Sequence, residues 1–442
     1  MSADTLTVRR SGPLRGNCRV PGDKSISHRA LLFGALADGV VEASGLGRGG
    51  DNLSTAAALR ALGVDITLAG DTARVRGVGF AGLAAAASAL DCGNSGTTIR
   101  LMMGVLAGRP FESELYGDAS LTRRPMRRVA EPLRRMGATI DGRVDPARPG
   151  DVFPPVRVRG GALAGIAYDL PVASAQLKSA LVLAGLQAKG KTTLREPGRS
   201  RDHTERMLGA MGAPIAVDAS GAVVVDPEGW NGKLRAIPIV IPGDLSSATF
   251  LFVAAATVAG SDVSVENVGL NPTRSGALDA LAAMGADIDI APEGDALGEP
   301  VGRVRVRASR LRGTRIAGEL ALRSLDEIPA LAVAAALAEG DTVFADLAEL
   351  RVKESDRIVA VARELRRAGV AVEERPDGLV VSGLGGRSPA GGTVQPEHDH
   401  RIAMAGAVMG LSAGDETAVP AADIATSFPS FADTLRALGA LV

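Results

Sequence analysis

The chain has 442 residues, 46% of them hydrophobic, which is more than one core ordinarily organises, so two domains are expected. Its 49 Lys and Arg against 50 Asp and Glu leave a formal net charge of -1; this excludes the broad basic field that gathers nucleic acid or an anionic membrane, and any anion site has to be local. Two cysteines, Cys18 and Cys92, form no CxxC pair, and the 4 histidines show no metal-ligand spacing, so a reducing, cytoplasmic setting without a structural metal is expected.

The opening stretch MSADTLTVRRSGPLRG carries charge without an apolar run behind it and does not read as a secretory signal. Apolar stretches such as FLFVAAATVAG fall short of the roughly 18 to 20 residues of a membrane span. From residue 59 a motif recurs six times: LRALGVDI at 59, LRRMGATI at 133, LGAMGAPI at 208, LAAMGADI at 281, LRRAGVAV at 365 and LRALGALV at 435. Each copy reads as a helix stopped by a glycine in the left-handed conformation (Gly63, Gly137, Gly212, Gly285, Gly369, Gly439) and followed at once by a strand. Glycine spacings of 74, 75, 73, 84 and 70 residues are too long for a solenoid, whose repeats run to roughly 20 to 50.

A more apolar helical segment precedes each copy and, being apolar nearly all round, should be buried. A coarser symmetry overlies the sixfold one, because VPGDKSIS at 20 and IPGDLSSA at 241 match at half the chain length. These Pro-Gly-Asp turns are natural crossing points. One domain is therefore expected at 22–242, the other at 1–21 plus 243–442, each of three similar α/β units around central helices.

Chemistry-bearing residues stand where the buried helices begin, and a helix N-terminus attracts anions through its unpaired N–H groups and dipole. In chain order, GDKSISHRA brings Lys24, Ser25 and Arg29; the chain has 6 lysines against 43 arginines, so a lysine here is unusual. Long cations on an apolar helix need an anionic partner or a path to water. DCGNSGTTIR supplies Asn94 and Ser95. In GDASLTRRPMRRV, Arg127 and Arg128 read as solvated and Arg124, beside Pro125, as a candidate fork for a carboxylate. SAQLKSA brings Ser174 and Gln176, and SRDHTE places Arg201 next to Asp202 and His203, the histidine reading as structural. In the second half come Asp326 before an apolar helix, LRVKESDRI with Lys353, Glu354 and Arg357, and HDHRIAMAG with Arg401. Ser, Asn and Asp at such places are also ordinary N-caps. Caps leave the cations unexplained, and Lys353 with Arg357 is an unfavourable pair on one helix face unless both turn to a shared anion.

Seven motifs in one order, GDKSISHRA, DCGNSGTTIR, GDASLTRRPM, SAQLKSA, SRDHTE, LRVKESDRI and DHRIAMA, resemble the EPSP synthase (3-phosphoshikimate 1-carboxyvinyltransferase) family of enolpyruvyl transferases over essentially the whole chain. The resemblance implies two domains of three βαβαββ units each, an inside-out α/β barrel with the active site in the cleft between them. It implies no cofactor, small-molecule substrates and a monomer. Lys24, Ser25, Arg29, Ser174, Ala175, Gln176, Arg201 and Lys353 would hold shikimate 3-phosphate; Gly96, Arg124, Arg357 and Arg401 would hold phosphoenolpyruvate, with Lys24 and Gln176 touching both. Asp326 matches the acid that handles the 5-hydroxyl proton, and Glu354 the one beside the reacting methylene. It further implies glyphosate competition at the phosphoenolpyruvate site, where Gly96 offers no Cβ to crowd the inhibitor. Three departures, Ala175 for a second serine, SRDHTE for a tyrosine-containing segment and Thr426 for a lysine, resemble the family's other branch.

Two other readings remain. A sister transferase acting on a UDP-amino sugar shares fold and donor but carries a reactive loop cysteine, which neither Cys18 nor Cys92 matches. An RNA-binding module of related repeats is disfavoured by the balanced charge and by 12 aromatic residues in all.

Overall fold

Residues 5–442 are described by the structure, a computed structural model. They divide into two compact units. The insert unit comprises Gly22–Ile241 with Ala296–Glu299; the flanking unit comprises the described residues up to Pro21, Pro242–Asp295 and Pro300–Val442. Each has its own apolar core.

The insert unit contains α1 (Lys24–Leu36), α2 (Gly50–Ala61), α3 (Gly96–Leu106), α4 (Arg127–Met136), α5 (Ala175–Gly185) and α6 (His203–Ala210). The flanking unit contains α7 (Leu245–Thr257), α8 (Gly276–Ala283), α9 (Gly318–Arg323), α10 (Ile328–Leu337), α11 (Arg357–Arg367), α12 (His400–Gly410), α13 (Ala421–Ala425) and α14 (Phe431–Ala437). The six motif glycines that end α2, α4, α6, α8, α11 and α14 all have positive φ, between 80° and 115°. That conformation is cheap for glycine alone, and it turns each chain into the following strand or, at the C-terminus, into the last residues.

Five four-stranded sheets share one pattern, in which the first strand runs parallel to the second and the remaining two pair antiparallel. In the insert unit one such sheet orders the strands 90–91, 112–116, 153–159 and 139–143. In the flanking unit the strand Arg15–Cys18 opens a sheet beside Asp262–Gly269, and Thr5–Val8 pairs antiparallel with Thr417–Pro420 in a three-stranded sheet.

The central helices are α1, α3 and α5 in one unit and α7, α10 and α12 in the other. Every residue of α7 from Leu245 to Ala256 is buried, as is α10 from Ile328 to Ala336. Each fully buried Leu or Val contributes about 1.5–3 kcal/mol, so these helices anchor their units. Small residues let them approach closely. At the α3–α5 crossing, a Cβ on Gly104 would lie 2.2 Å from the Ala180 carbonyl oxygen.

Candidate active site

In the insert unit, Asp23 caps α1 by accepting the Ile26 N–H at 2.9 Å, which sets Lys24 in the first turn. Its ammonium pairs with Asp51 on α2, and Asn52 Nδ2 donates to the Lys24 carbonyl at 2.9 Å, so α2 grips the start of α1. Ser25 follows, half-buried. Arg29, 3% exposed, is held by hydroxyls and a carbonyl. Its Nε donates to Thr204 Oγ1 at 2.7 Å, Nη1 to the Ser25 carbonyl at 3.0 Å and Nη2 to Ser179 Oγ at 2.8 Å. Burial lowers its pKa to about 10, with Glu205 and other carboxylates opposing the shift.

The starts of α3 and α5 are joined by side chains. Ser95 caps α3, its Oγ accepting the Thr98 N–H at 3.0 Å, and Gly96 is the first helical residue. Arg100 Nη1 donates to Gln176 Oε1 at 2.7 Å, and Gln176 Nε2 donates to Thr97 Oγ1 at 2.9 Å. Arg124 is buried beside them: Nη2 donates to Asn94 Oδ1 at 2.7 Å and Ser120 Oγ at 3.0 Å, and Nη1 to the Asn94 carbonyl at 3.2 Å. A Cβ on Gly96 would stand 2.7 Å from Arg100 Nη1 and 3.3 Å from Arg124 Nη1. Ser174 caps α5, with Ala175 its first residue, and Arg201 lies half-buried just before α6. Arg127 and Arg128 are exposed. His203 Nδ1 contacts Glu299 Oε1 at 2.7 Å, both fully buried, which is a structural pair.

In the flanking unit the organising group is Arg357, 1% exposed and the first residue of α11. Nε donates to Asp399 Oδ2 at 2.8 Å, Nη2 to Glu354 Oε2 at 2.7 Å and Nη1 to Asp326 Oδ1 at 3.2 Å. Burial works against its charge, but Asp399, Glu354 and Asp326 outweigh it and hold the guanidinium protonated beyond its ordinary value. For Asp399, wholly buried, the desolvation that would raise its pKa is overcome by Arg357, and the carboxyl sits below its usual range. Asp399 also caps α12, accepting the Arg401 N–H at 3.0 Å, and takes the Ser355 hydroxyl at 3.0 Å.

Lys353 and Arg357 do not share a helix. Lys353 ends a 3-10 turn over Ala348–Val352, and α11 begins only at Arg357. They converge on Asp326 Oδ1, with Lys353 Nζ at 3.3 Å and Arg357 Nη1 at 3.2 Å, so the shared anion sought for this pair is in part a carboxylate of the chain itself. Asp326 sits in a 3-10 turn ahead of α10, and its carbonyl accepts Arg401 Nη1 at 2.8 Å. The structure thus brings together Asp326, Lys353, Glu354, Arg357 and Arg401 in one unit, and joins Gly96, Arg124 and Gln176 in the other. Thr426 follows α13 and is half-buried. Among the described residues no group of His, Cys, Asp and Glu could hold a metal ion.

Asp51, Arg100 and Asp399 are partners that sequence reasoning did not assign. Arg100, a charge on an otherwise apolar helix, carried the same signal that singled out Arg29, and Asp399 stood in the charged lead of α12. Asp51 carried none, since an acid in the first turn of an amphipathic helix is unremarkable.

Buried helices whose first turns gather lysine, arginine and capping groups, repeated in two units of one design, are the architecture of a protein that handles small anionic molecules. Residues 8–435 match the family described as EPSP synthase (3-phosphoshikimate 1-carboxyvinyltransferase). The 3-phosphoshikimate 1-carboxyvinyltransferase of Desulforudis audaxviator is 52% identical, the alignment covering 98% of this chain and 99% of that one; that of Synechococcus sp. strain JA-3-3Ab is 51% identical, with 99% and 97% covered. A solved EPSP synthase of Acinetobacter baumannii superposes with a TM-score of 0.86 at 42% identity, covering 99% of this chain and 98% of that one. The chain belongs to the EPSP synthase family.

Proposed function

We propose that the cations and carboxylates described above carry out enolpyruvyl transfer in the following roles. The chain is a 3-phosphoshikimate 1-carboxyvinyltransferase: it moves the enolpyruvyl group of phosphoenolpyruvate to the 5-hydroxyl of shikimate 3-phosphate, releasing phosphate, in the shikimate pathway of aromatic biosynthesis. The observation that carries this activity is the roughly half identity to such enzymes over nearly the full length of both chains.

Lys24, Ser25, Arg29, Ser174, Ala175, Gln176, Arg201 and Lys353 bind shikimate 3-phosphate, and Gly96, Arg124, Arg357 and Arg401 bind phosphoenolpyruvate, with Lys24 and Gln176 serving both. Glu354 protonates the methylene of phosphoenolpyruvate, which builds cationic character at its central carbon. Asp326 takes the proton of the 5-hydroxyl as its oxygen bonds to that carbon. In the tetrahedral intermediate that results, the carbon–oxygen bond to phosphate breaks, Glu354 recovers a proton from the methyl group, and the enol ether is restored. Because phosphate is already a competent leaving group, the protein supplies positioning and charge, and Lys24 neutralises the departing phosphate.

The geometry supports these roles in two ways. Glu354 and Asp326 both lie on Arg357, at 2.7 and 3.2 Å, so a substrate carboxylate that takes the guanidinium comes to rest beside both groups, and Glu354, released from that ion pair, is free to take up the proton it delivers. Gln176, tied to Arg100 and Thr97, is held beside Gly96, as a residue meeting both substrates has to be. Because the assigned residues are divided between the two units, the reaction requires both to act on the same pair of substrates; we propose closure on them that excludes water.

The test is phosphate release by the purified protein with both substrates, with each omitted in turn, and with EDTA present. Release that needs both and survives EDTA is expected; folded protein that releases phosphate only with a UDP-amino sugar as acceptor would overturn the assignment. No helix among the described residues is long and apolar enough to cross a membrane. We take the enzyme to be cytoplasmic and monomeric, for which light scattering should return a mass near 45.0 kDa.

A further inference from the structure

Lys178, on α5, is 2% exposed and has no part in the roles above. Its Nζ lies 2.7 Å from Glu196 Oε2, 2.7 Å from Glu205 Oε1 and 3.5 Å from the Ser200 carbonyl. Desolvation opposes its charge, and Glu205 and Glu196 overcome it, so the ammonium is held protonated above its ordinary value. Each carboxylate leads to a different part of the acceptor-binding set. Glu196 uses its other oxygen to accept the Ser174 N–H at 3.2 Å, at the cap of α5. Glu205 stands on α6 next to Thr204, whose hydroxyl receives Arg29 Nε at 2.7 Å and pairs with Ser179 at 2.6 Å. Arg201 lies on the segment between the two glutamates. The second oxygen of Glu205 is buried without a hydrogen-bond partner, so the ion pair that its first oxygen makes with Lys178 bears directly on the cost of that buried charge.

One ammonium therefore ties the cap of α5 to the segment carrying Arg201 and to the helix that steadies Arg29. It also offsets one of two negative charges set among residues that receive a phosphorylated substrate. We propose that Lys178 is a positioning residue for shikimate 3-phosphate: without touching the substrate, it holds Ser174 and Arg201 in register and limits the negative field of Glu196 and Glu205 at the acceptor. This rests on the assignment of Ser174, Gln176 and Arg201 to the acceptor. Phosphoenolpyruvate, assigned to Gly96, Arg124, Arg357 and Arg401 with Lys24 and Gln176 shared, is not assigned to Ser174 or Arg201 and should be far less affected.

The experiment compares full-length Lys178→Met, Glu205→Gln and the double variant by steady-state phosphate release with each substrate varied, and by calorimetric titration of shikimate 3-phosphate alone. Lys178→Met leaves both carboxylates without their cation, so KM and Kd for shikimate 3-phosphate should rise about tenfold or more, with KM for phosphoenolpyruvate within about twofold of wild type. Adding Glu205→Gln removes one stranded charge and should restore most of the acceptor affinity; Glu205→Gln alone should bind the acceptor no worse than wild type. A cavity of about 550 Å³ lined in part by Lys178, Glu196 and Glu205 gives water a route to the carboxylates of the folded variant. Should Lys178→Met still fail to fold, Glu196→Ala, which frees the Ser174 N–H, is expected to show the same acceptor-selective loss. Equal changes in both KM values, unchanged acceptor binding in folded Lys178→Met or Glu196→Ala, or no recovery in the double variant would overturn the proposal. A wild-type protein inactive with both substrates would instead refute the functional assignment itself.

Discussion

Replacing Gly96 with alanine separates stability from substrate binding. Gly96 opens α3 with an ordinary φ, so alanine fits the backbone, and the loss of glycine's freedom in the unfolded chain is worth up to about 1 kcal/mol in favour of folding. The new Cβ, however, would stand 2.7 Å from Arg100 Nη1, closer than such atoms can approach, and 3.3 Å from Arg124 Nη1. Arg100 is the flexible partner and must swing away, giving up its 2.7 Å bond to Gln176 Oε1. Arg124 has less room, being fixed by Asn94 and Ser120. Arg100 is half-buried and can bond water instead, so little stability is lost; a substrate anion deprived of one charge-assisted hydrogen bond by the displaced side chains loses about 1.5–3 kcal/mol, which is about tenfold or more in affinity. The expected result is therefore a KM for phosphoenolpyruvate raised about tenfold, a glyphosate inhibition constant raised at least as much, and an unchanged or higher Tm. The assay is phosphate release with phosphoenolpyruvate varied at several glyphosate concentrations, alongside thermal unfolding. If KM and the inhibition constant both stay within about twofold of wild type, Gly96 is not beside the donor and this reasoning fails. A Tm lowered by several degrees would mean that the Cβ strains the helix rather than moving two side chains.

Three further outcomes follow from the same geometry. Lys24→Met should abolish turnover while leaving the circular-dichroism spectrum intact; a collapsed spectrum would make the Lys24–Asp51 pair structural instead. Asp399→Asn keeps a competent helix cap but strips Arg357 of its buried carboxylate, and since Glu354 and Asp326 remain, the cost should be about 2 kcal/mol rather than the 3–5 of a fully broken buried pair. Because the Asp399 pKa is depressed from 3.8, its contribution is complete above that value and lost only as pH falls through the lower folded-state pKa, so the Tm deficit of the variant should be constant from about pH 5 to 8; a deficit that fades by about pH 5.5 would show the carboxyl already protonated there. Gly104→Val places a side chain against the Ala180 carbonyl at the α3–α5 crossing and should destabilise by at least about 1–3 kcal/mol in urea unfolding, whereas unchanged stability would mean the helices can separate at little cost.

Much of the architecture was legible in the sequence because it depends on local chemistry repeated six times. A helix, a glycine able to take positive φ and a β-branched strand make the same turn wherever they recur, and the six motif glycines adopt that conformation. The burial of α7 and α10 followed likewise from segments with no polar face. Residue types at the helix starts were legible too, since a lysine or arginine leading an apolar helix needs a reason that the sequence itself makes visible.

What the sequence could not decide was which groups answer those charges, because partners lie far apart along the chain. Only folding set Asp51 against Lys24, 27 positions away, and gave Arg29 two hydroxyls and a carbonyl on three different segments. LRVKESDRI implied an anion shared by Lys353 and Arg357 without naming it; Lys353 lies outside α11 and meets Arg357 at Asp326, brought from another segment. A charge and the acid that balances it are coupled through space by distance and burial, and neither quantity has a period that a sequence can display. The repeat, the glycine turns and the cationic helix starts were thus determined by the sequence alone, while the pairing of those cations with Asp51, Asp326, Glu354 and Asp399 was decided by tertiary packing.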